Sequence, residues 1–151
     1  VSCRMGLNYS KETVAFQRKK INDLLKDSYN FKKVSRRIYF QELINSKILI
    51  SPFGYGEINL KDFEAFFYGC ILYKANMDHL ETWPNFYLKG KTYIDFNWNL
   101  NDFQNKLDYI IRNFERYFEI AKYTNSLYNK YLHDEKYLEE FCVRLTNIFH
   151  N

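Results

Sequence analysis

Apolar positions along the chain change their period several times, and each change predicts an element. Residues 1–6 read as the tail of a strand. Residues 11–26 place Val14, Ile21, Leu24 and Leu25 on one stripe at helical spacing, with Ser10 as N-cap and Glu12 and Thr13 in the first turn. Arg18, Lys19 and Lys20 read as the solvated side of that helix. A connector over 27–33 leads to Val34, read as a short strand, and to a helix over 36–45 with Tyr39, Phe40, Leu43 and Ile44 at its apolar positions. The unbroken apolar run Ile48-Leu49-Ile50 predicts a buried strand. Pro52, Gly54 and Gly56 then interrupt regular structure. Asn59 followed three residues later by Asp62 has the form of a capping box, and Leu60, Phe63 and Phe67 predict one apolar helix face. Gly69 suits a left-handed helix stop, and residues 70–73 resume as a strand. Strand, glycine loop, helix and strand make a βαβ unit.

Residues 75–90 form a loop in which Pro84 prevents a long helix. Residues 92–96 alternate as a short strand. Asn101 then caps a helix with Phe103, Leu107, Ile110, Ile111 and Phe114 on one side. From 115 to 151 the pattern stays helical, with Phe118, Ala121, Leu127 and Tyr131 on one face. A last helix starting at Asp134 turns Tyr137, Leu138, Phe141, Cys142, Leu145 and Ile148 inward. Neither Pro nor Gly occurs after Gly90, which suits such a tail. The whole predicts an α/β fold, a parallel sheet flanked by helices with a helical C-terminal tail. The core spans 1–100, and helices over 101–151 pack on it.

Length and composition narrow the class. The 151 residues suffice for one domain with a sizeable core, and 46% apolar with 26% charged residues is a globular balance. The 14 Tyr and 14 Phe, with much Lys, Asn and Ile, fit an AT-rich coding bias better than a stacking function. A net charge of +4 tolerates anionic ligands and is too mild to argue for nucleic acid. Cys3, Cys70 and Cys142 are odd in number and widely spaced, without zinc-ligand spacing, so reduced thiols in a cytoplasmic setting are expected. No stretch is apolar enough to span a membrane, and the start lacks a secretory signal. Because it begins at Val1, the chain reads as a fragment of a longer protein.

The candidate chemistry gathers on the βαβ unit. Glycines at 54 and 56 allow a ligand close to the backbone, and the loop N–H groups with the helix N-terminus favour an anion. Glu57 and Glu64 frame that loop; a carboxylate beside a phosphate is repelled by it, which suits these two to ribose or sugar hydroxyls. The plainer alternative is a simple turn with Glu64 in solvent. Arg4 is a candidate phosphate contact if its strand faces the same cleft, or else a surface arginine. His79 could serve as an acid–base group or a metal ligand, or be a polar loop residue; no metal partners for it are identifiable, so no metal is expected. Arg36 and Arg37 read as surface ion-pairing groups.

Ser51, Pro52, Gly54, Gly56, Lys61, Asp62, Phe63, Glu64, Ala65 and Gly69 together resemble a segment of the C-terminal, donor-binding half of GT-B glycosyltransferases, particularly bacterial group 1 and exostosin-like ones. That segment is Ser-Pro-x-Gly-x-Gly, a basic-Asp-Phe-Glu-Ala helix, a Gly and an apolar strand. The resemblance covers roughly residues 45 to 100 and implies a Rossmann-like nucleotide-sugar-binding core. It implies that Glu64 binds the donor ribose, and that Phe53, Gly54, Tyr55, Gly56 and Glu57 lie along the diphosphate and sugar. It also implies that Asp78 and His79 line the cleft. Glu57 and Glu64 have six residues between them where many retaining members have seven, so the assignment transfers to Glu64 more directly than to Glu57. The implied reaction moves a sugar from a nucleotide diphosphate donor to a glycan or other hydroxyl acceptor, without a cofactor or bound metal. The catalytic residue is not assigned: the resemblance leaves retention or inversion open, and in inverting members the base usually comes from an N-terminal acceptor domain, here missing. A non-catalytic scaffold that keeps the fold, and an unrelated nucleotide-binding regulator, are the alternatives.

Overall fold

The computed structural model describes residues 1–150; Asn151, the end of the expected helical tail, lies outside them. Three strands form one parallel sheet in the order β1 (Ile48–Ser51), β2 (Ile71–Ala75), β3 (Ile94–Phe96). Ile48 aligns with Ile71, and Tyr73 with Ile94. Ser2 adds a parallel bridge to Leu49 on the outer side of β1, so the strand tail expected at residues 1–6 is present as a single bridge.

Because side chains alternate along a strand, the sheet splits its apolar residues between two faces. Ile48, Ile50, Ile71, Tyr73, Ile94 and Phe96 face one layer, covered by α1 (Glu12–Leu25) through Ile21 and Leu25 and by α4 (Phe103–Arg112) through Phe103, Leu107 and Ile110. Leu49, Leu72 and Tyr93 face the other, covered by Leu43 of α2 (Arg36–Ile44) and by Ala65 and Phe66 of α3 (Leu60–Tyr68). The long helix α5 (Phe114–His133) serves both layers: Ala121 joins the first, and Leu127, Tyr128 and Tyr131 pack against the second. Thr124 Oγ1 donates to the carbonyl of Thr92 (2.9 Å), and Asn125 Nδ2 donates to that of Phe66 (2.8 Å), which fixes the crossing. The architecture is the expected α/β arrangement, a parallel sheet flanked by helices with a helical tail.

Local chemistry explains where α3 begins and ends. Asn59 Oδ1 accepts from the Lys61 N–H (3.1 Å) while Asp62 Oδ2 accepts from the Asn59 N–H (3.2 Å), a complete capping box. Gly69 closes the helix at φ 68°, ψ 30°, a conformation that a β-carbon would penalise.

Several local expectations are corrected. On α3 the buried residues are Asp62, Ala65 and Phe66, while Leu60 and Phe67 are exposed. The capping carboxylate turns inward and carries the helix face with it. α1 starts from Lys11 without a side-chain cap, so Ser10 is not its cap. α4 starts after Asp102, whose carboxylate accepts from Asn97 N–H rather than capping, so Asn101 is not the cap either. Val34 lies in a loop, and α2 is capped by Ser35 Oγ. The last helix, α6 (Glu135–His150), starts beside Asp134 as expected but has no buried residue; Leu138, Phe141, Leu145 and Ile148 are exposed.

Candidate functional site

Parallel strands gather their following loops at one edge, and ligands in open α/β sheets sit in a crevice there. At the carboxyl end of β1, residues 52–59 descend into α3. The start of α3 is braced by one buried carboxylate, Asp62. Its Oδ1 accepts from Ser51 Oγ (2.5 Å), and its Oδ2 accepts from Tyr87 Oη (2.7 Å) and lies 3.3 Å from Lys74 Nζ. Burial lowers the Lys74 pKa, opposed by the charge of Asp62. The same causes, burial first and Asp62 second, push the Tyr87 hydroxyl up. Strand, loop and helix terminus are thereby tied together inside the protein, leaving the outer side of the loop free.

That outer side forms a cleft of about 510 Å³. Gly54, Tyr55, Gly56, Lys61 and Glu64 line it from the βαβ unit, and Arg4, Tyr9, Arg18 and Tyr39 line it from the other side. Among the described residues no group of the chain accepts from the N–H of Tyr55, Gly56, Glu57 or Ile58. Gly54 N–H is taken by the Gly56 carbonyl (3.2 Å). Neither glycine has a positive φ; a β-carbon at Gly54 would sit 3.3 Å from Arg18 Nη2, so the requirement there is room for the arginine.

Arg18 is the residue that sequence reasoning missed. It is 6% exposed, with Nε donating to the Phe53 carbonyl (2.7 Å) and its guanidinium 4.9 Å from the Tyr9 ring centre. Burial lowers its pKa. Lys61, half-buried, donates from Nζ to Tyr39 Oη (3.1 Å), and burial lowers its pKa against the opposing charge of Glu64. Among the described residues neither cation forms a salt bridge. Two desolvated cations, loop N–H groups without an acceptor in the chain and a helix N-terminus together favour a dianion or diphosphate. The signal for Arg18 was its position: it falls between Val14 and Ile21 on the apolar stripe of α1, where a solvated residue does not belong.

Glu64 is half-buried and lines the same cleft. Tyr39 Oη donates to its Oε2 at 2.6 Å. Burial and that bond push the Tyr39 hydroxyl pKa up, so it remains a donor. One carboxylate oxygen is thus held and the other is left for a ligand hydroxyl. Arg4 also lines the cleft, but Nε and Nη2 each lie 2.8 Å from Glu42 Oε2 and Nη1 donates to the Lys32 carbonyl (3.0 Å); its charge is largely answered within the chain.

The remaining expected residues form a separate group, in which Phe53 and Glu57 of the loop after β1 meet His79 from the loop after β2 and Trp98 from the loop after β3. Phe53 has both backbone groups bound to α1, through Gln17 Oε1 (2.7 Å) and Arg18, and its ring meets Trp98 at 5.9 Å. His79 packs on Trp98 at 5.7 Å and lies 3.9 Å from Glu57 through Nε2. His79 is exposed and Glu57 is half-buried. A scan against protein-family models finds no match for the chain, and comparisons with curated proteins and with solved structures find no significant match either.

Proposed function

We propose that the chain is the donor-binding half of a glycosyltransferase, working with an acceptor-binding domain that supplies the catalytic base. The reading is carried by one observation: Glu64, held by Tyr39, shares a cleft with the 54–58 loop and with Arg18 and Lys61, neither of which has a carboxylate partner. A nucleotide-sugar has this pattern of needs, a vicinal diol beside a diphosphate. In the reaction the bond between the sugar anomeric carbon and the diphosphate oxygen breaks. A new bond forms to the acceptor hydroxyl oxygen, whose proton passes to the base of the second domain. Charge accumulates on the departing diphosphate, where Arg18, Lys61 and the loop N–H groups stabilise it. Glu64 fixes the ribose, converting binding energy into position. Three free cysteines fit our placement of this reaction in the cytoplasm.

The resemblance described above agrees with this reading, and the absence of sequence and structure matches leaves it resting on the site itself. Calorimetric titration of the chain with UDP and GDP tests it, beside Glu64→Ala. Saturable binding to at least one nucleotide, weakened about tenfold or more in the variant, is expected. Equal affinity in both proteins would remove Glu64 from the site. A second reading, an interaction module that keeps the fold, is favoured by the exposed apolar side of α6; it expects no nucleotide binding, even once the acceptor domain is joined.

A further inference from the structure

Helix α6 presents two rows of side chains, one residue apart in sequence and so rotated by about 100°. The first row rests on the body. Tyr137 meets Tyr131 at 4.0 Å, Phe141 stacks on Trp83 at 6.2 Å, and the Arg144 guanidinium lies 4.8 Å from the centre of the same Trp83 ring. The second row is Leu138, Cys142, Leu145 and Phe149, separated by four, three and four residues. That is the spacing of the apolar positions of a helix that packs lengthwise on another helix. Every member of the second row is exposed, Leu138 at 63% and Phe149 at 77%. Ile148, which continues the first row beyond Trp83, is 71% exposed. Single exposed leucines are ordinary on a surface; a contiguous row at this spacing is not.

From this pattern we infer that the second row is the contact between two copies of the chain, packed antiparallel through α6. Charge sets the direction. The first half of α6 carries Glu135, Glu139 and Glu140 against Lys136, and the second half carries Arg144 and no carboxylate. An antiparallel pair lays the acidic half of each helix along the basic half of the other and opposes the two helix dipoles. A parallel pair brings the acidic halves together. Arg144 reaches Glu140 of its own helix at 3.3 Å but keeps 53% of its side chain exposed, so it still serves the rim of such a contact. The row is centred between Cys142 and Leu145, so that Leu138 lies across from Phe149 of the other copy. Leu138, Leu145, Ile148 and Phe149 together expose on the order of 500 Å². Two copies closing on this face would cover about 1,000 Å², the lower bound of a specific interface, which makes a dimer that dissociates on dilution. None of these residues lines the cleft of Arg18 and Glu64, so the pairing is independent of the donor-domain reading.

Sedimentation equilibrium of the whole chain, from low to high micromolar concentration, tests the pairing beside Leu145→Glu, a change at an exposed position outside the row that rests on Trp83. The parent chain is expected to pass from monomer to dimer. Leu145→Glu is expected to stay monomeric with an unchanged melting temperature, which reports an intact fold. Cys142 is exposed while Cys3 and Cys70 are buried, so a short bismaleimide should join Cys142 to Cys142 in the parent and not in Leu145→Glu. With Cys142→Ser and Glu139→Cys combined, the two thiols of an antiparallel pair lie about 13 Å apart along the helix axis, and no crosslink is expected. A crosslink there would make the helices parallel and overturn the proposed arrangement. A chain that is monomeric throughout, a dimer that Leu145→Glu leaves intact, or a dimer in which Cys142 is not joined would overturn the pairing itself.

Discussion

Tyr39 Oη donates to one oxygen of Glu64 and accepts from Lys61 Nζ, so three side chains decide how a single carboxylate meets a ligand. Tyr39→Phe keeps the ring and removes that hold. We expect the preference of the chain for UDP over 2′-deoxy-UDP to shrink about threefold to tenfold in this variant, read by competition binding. An unchanged preference would mean that Tyr39 does not position Glu64. Asp62 shows the opposite use of a carboxylate. It is buried and bonded to Ser51, Asn59, Tyr87 and Lys74, and so supports the site from within. Removing one member of a buried pair costs about 3–5 kcal/mol, so Asp62→Ala should lower the melting temperature by on the order of 10 °C. A third carboxylate gives a pH dependence. For Asp95, burial alone would raise the pKa, but hydrogen bonds from Lys89 and Asn76 and the charge of Lys106 outweigh it and hold it below 3.8. A depressed carboxylate contributes its full stability above the unfolded value and loses it as pH falls through the folded one. Urea unfolding of Asp95→Asn should therefore differ from that of the parent protein near pH 7, and the difference should contract as pH falls through and below the ordinary carboxylate range. A constant difference would contradict the ion-pairing account.

The elements differ in how far local chemistry fixes them. The start and end of α3 were legible because Asn59, Asp62 and Gly69 act on backbone a few residues away. Its inward face was not, because the rotation of α3 is set by Ser51 and Lys74, which are distant in sequence from Asp62. The same limit hid Arg18. Within the run Arg18-Lys19-Lys20 the three residues look alike, and what separates the first is its tie to the Phe53 carbonyl. The glycine loop and Glu64 were readable as a candidate site; Arg18 and Tyr39 were not, since tertiary packing of α1 and α2 brings them to it. α6 is the clearest departure. Its apolar spacing reads as a core helix, yet it has no buried residue and touches the body where Phe141 stacks on Trp83 at 6.2 Å and Tyr131 meets Tyr137 at 4.0 Å. Removing residues 135–151 should therefore leave nucleotide affinity within about twofold of the parent value, and cost no more than about 2 kcal/mol of stability. Loss of binding on this truncation would show that α6 supports the cleft.

At the scale of the molecule, the two layers on either side of the sheet meet at the ligand edge in different ways. α1 brings Arg18 from one side and α2 brings Tyr39 from the other, while α5 bonds through Thr124 to the carbonyl of Thr92 ahead of β3 and through Asn125 to the last turn of α3. The net charge of +4 is modest, and among the described residues the cations of the cleft that form no salt bridge are Arg18 and Lys61. No helix of the described residues is long and apolar enough to cross a membrane. The donor-domain account centres the nucleotide contacts on the cleft between the 54–58 loop, α3, Arg18 of α1 and Tyr39 of α2. The most direct measurement is an amide NMR titration of the labelled chain with UDP. The account expects the largest shifts at Gly54, Tyr55, Gly56, Lys61 and Glu64, extending to Met5 and Gly6. Shifts gathered instead around Trp83 and Tyr131, or none at millimolar UDP, would contradict it.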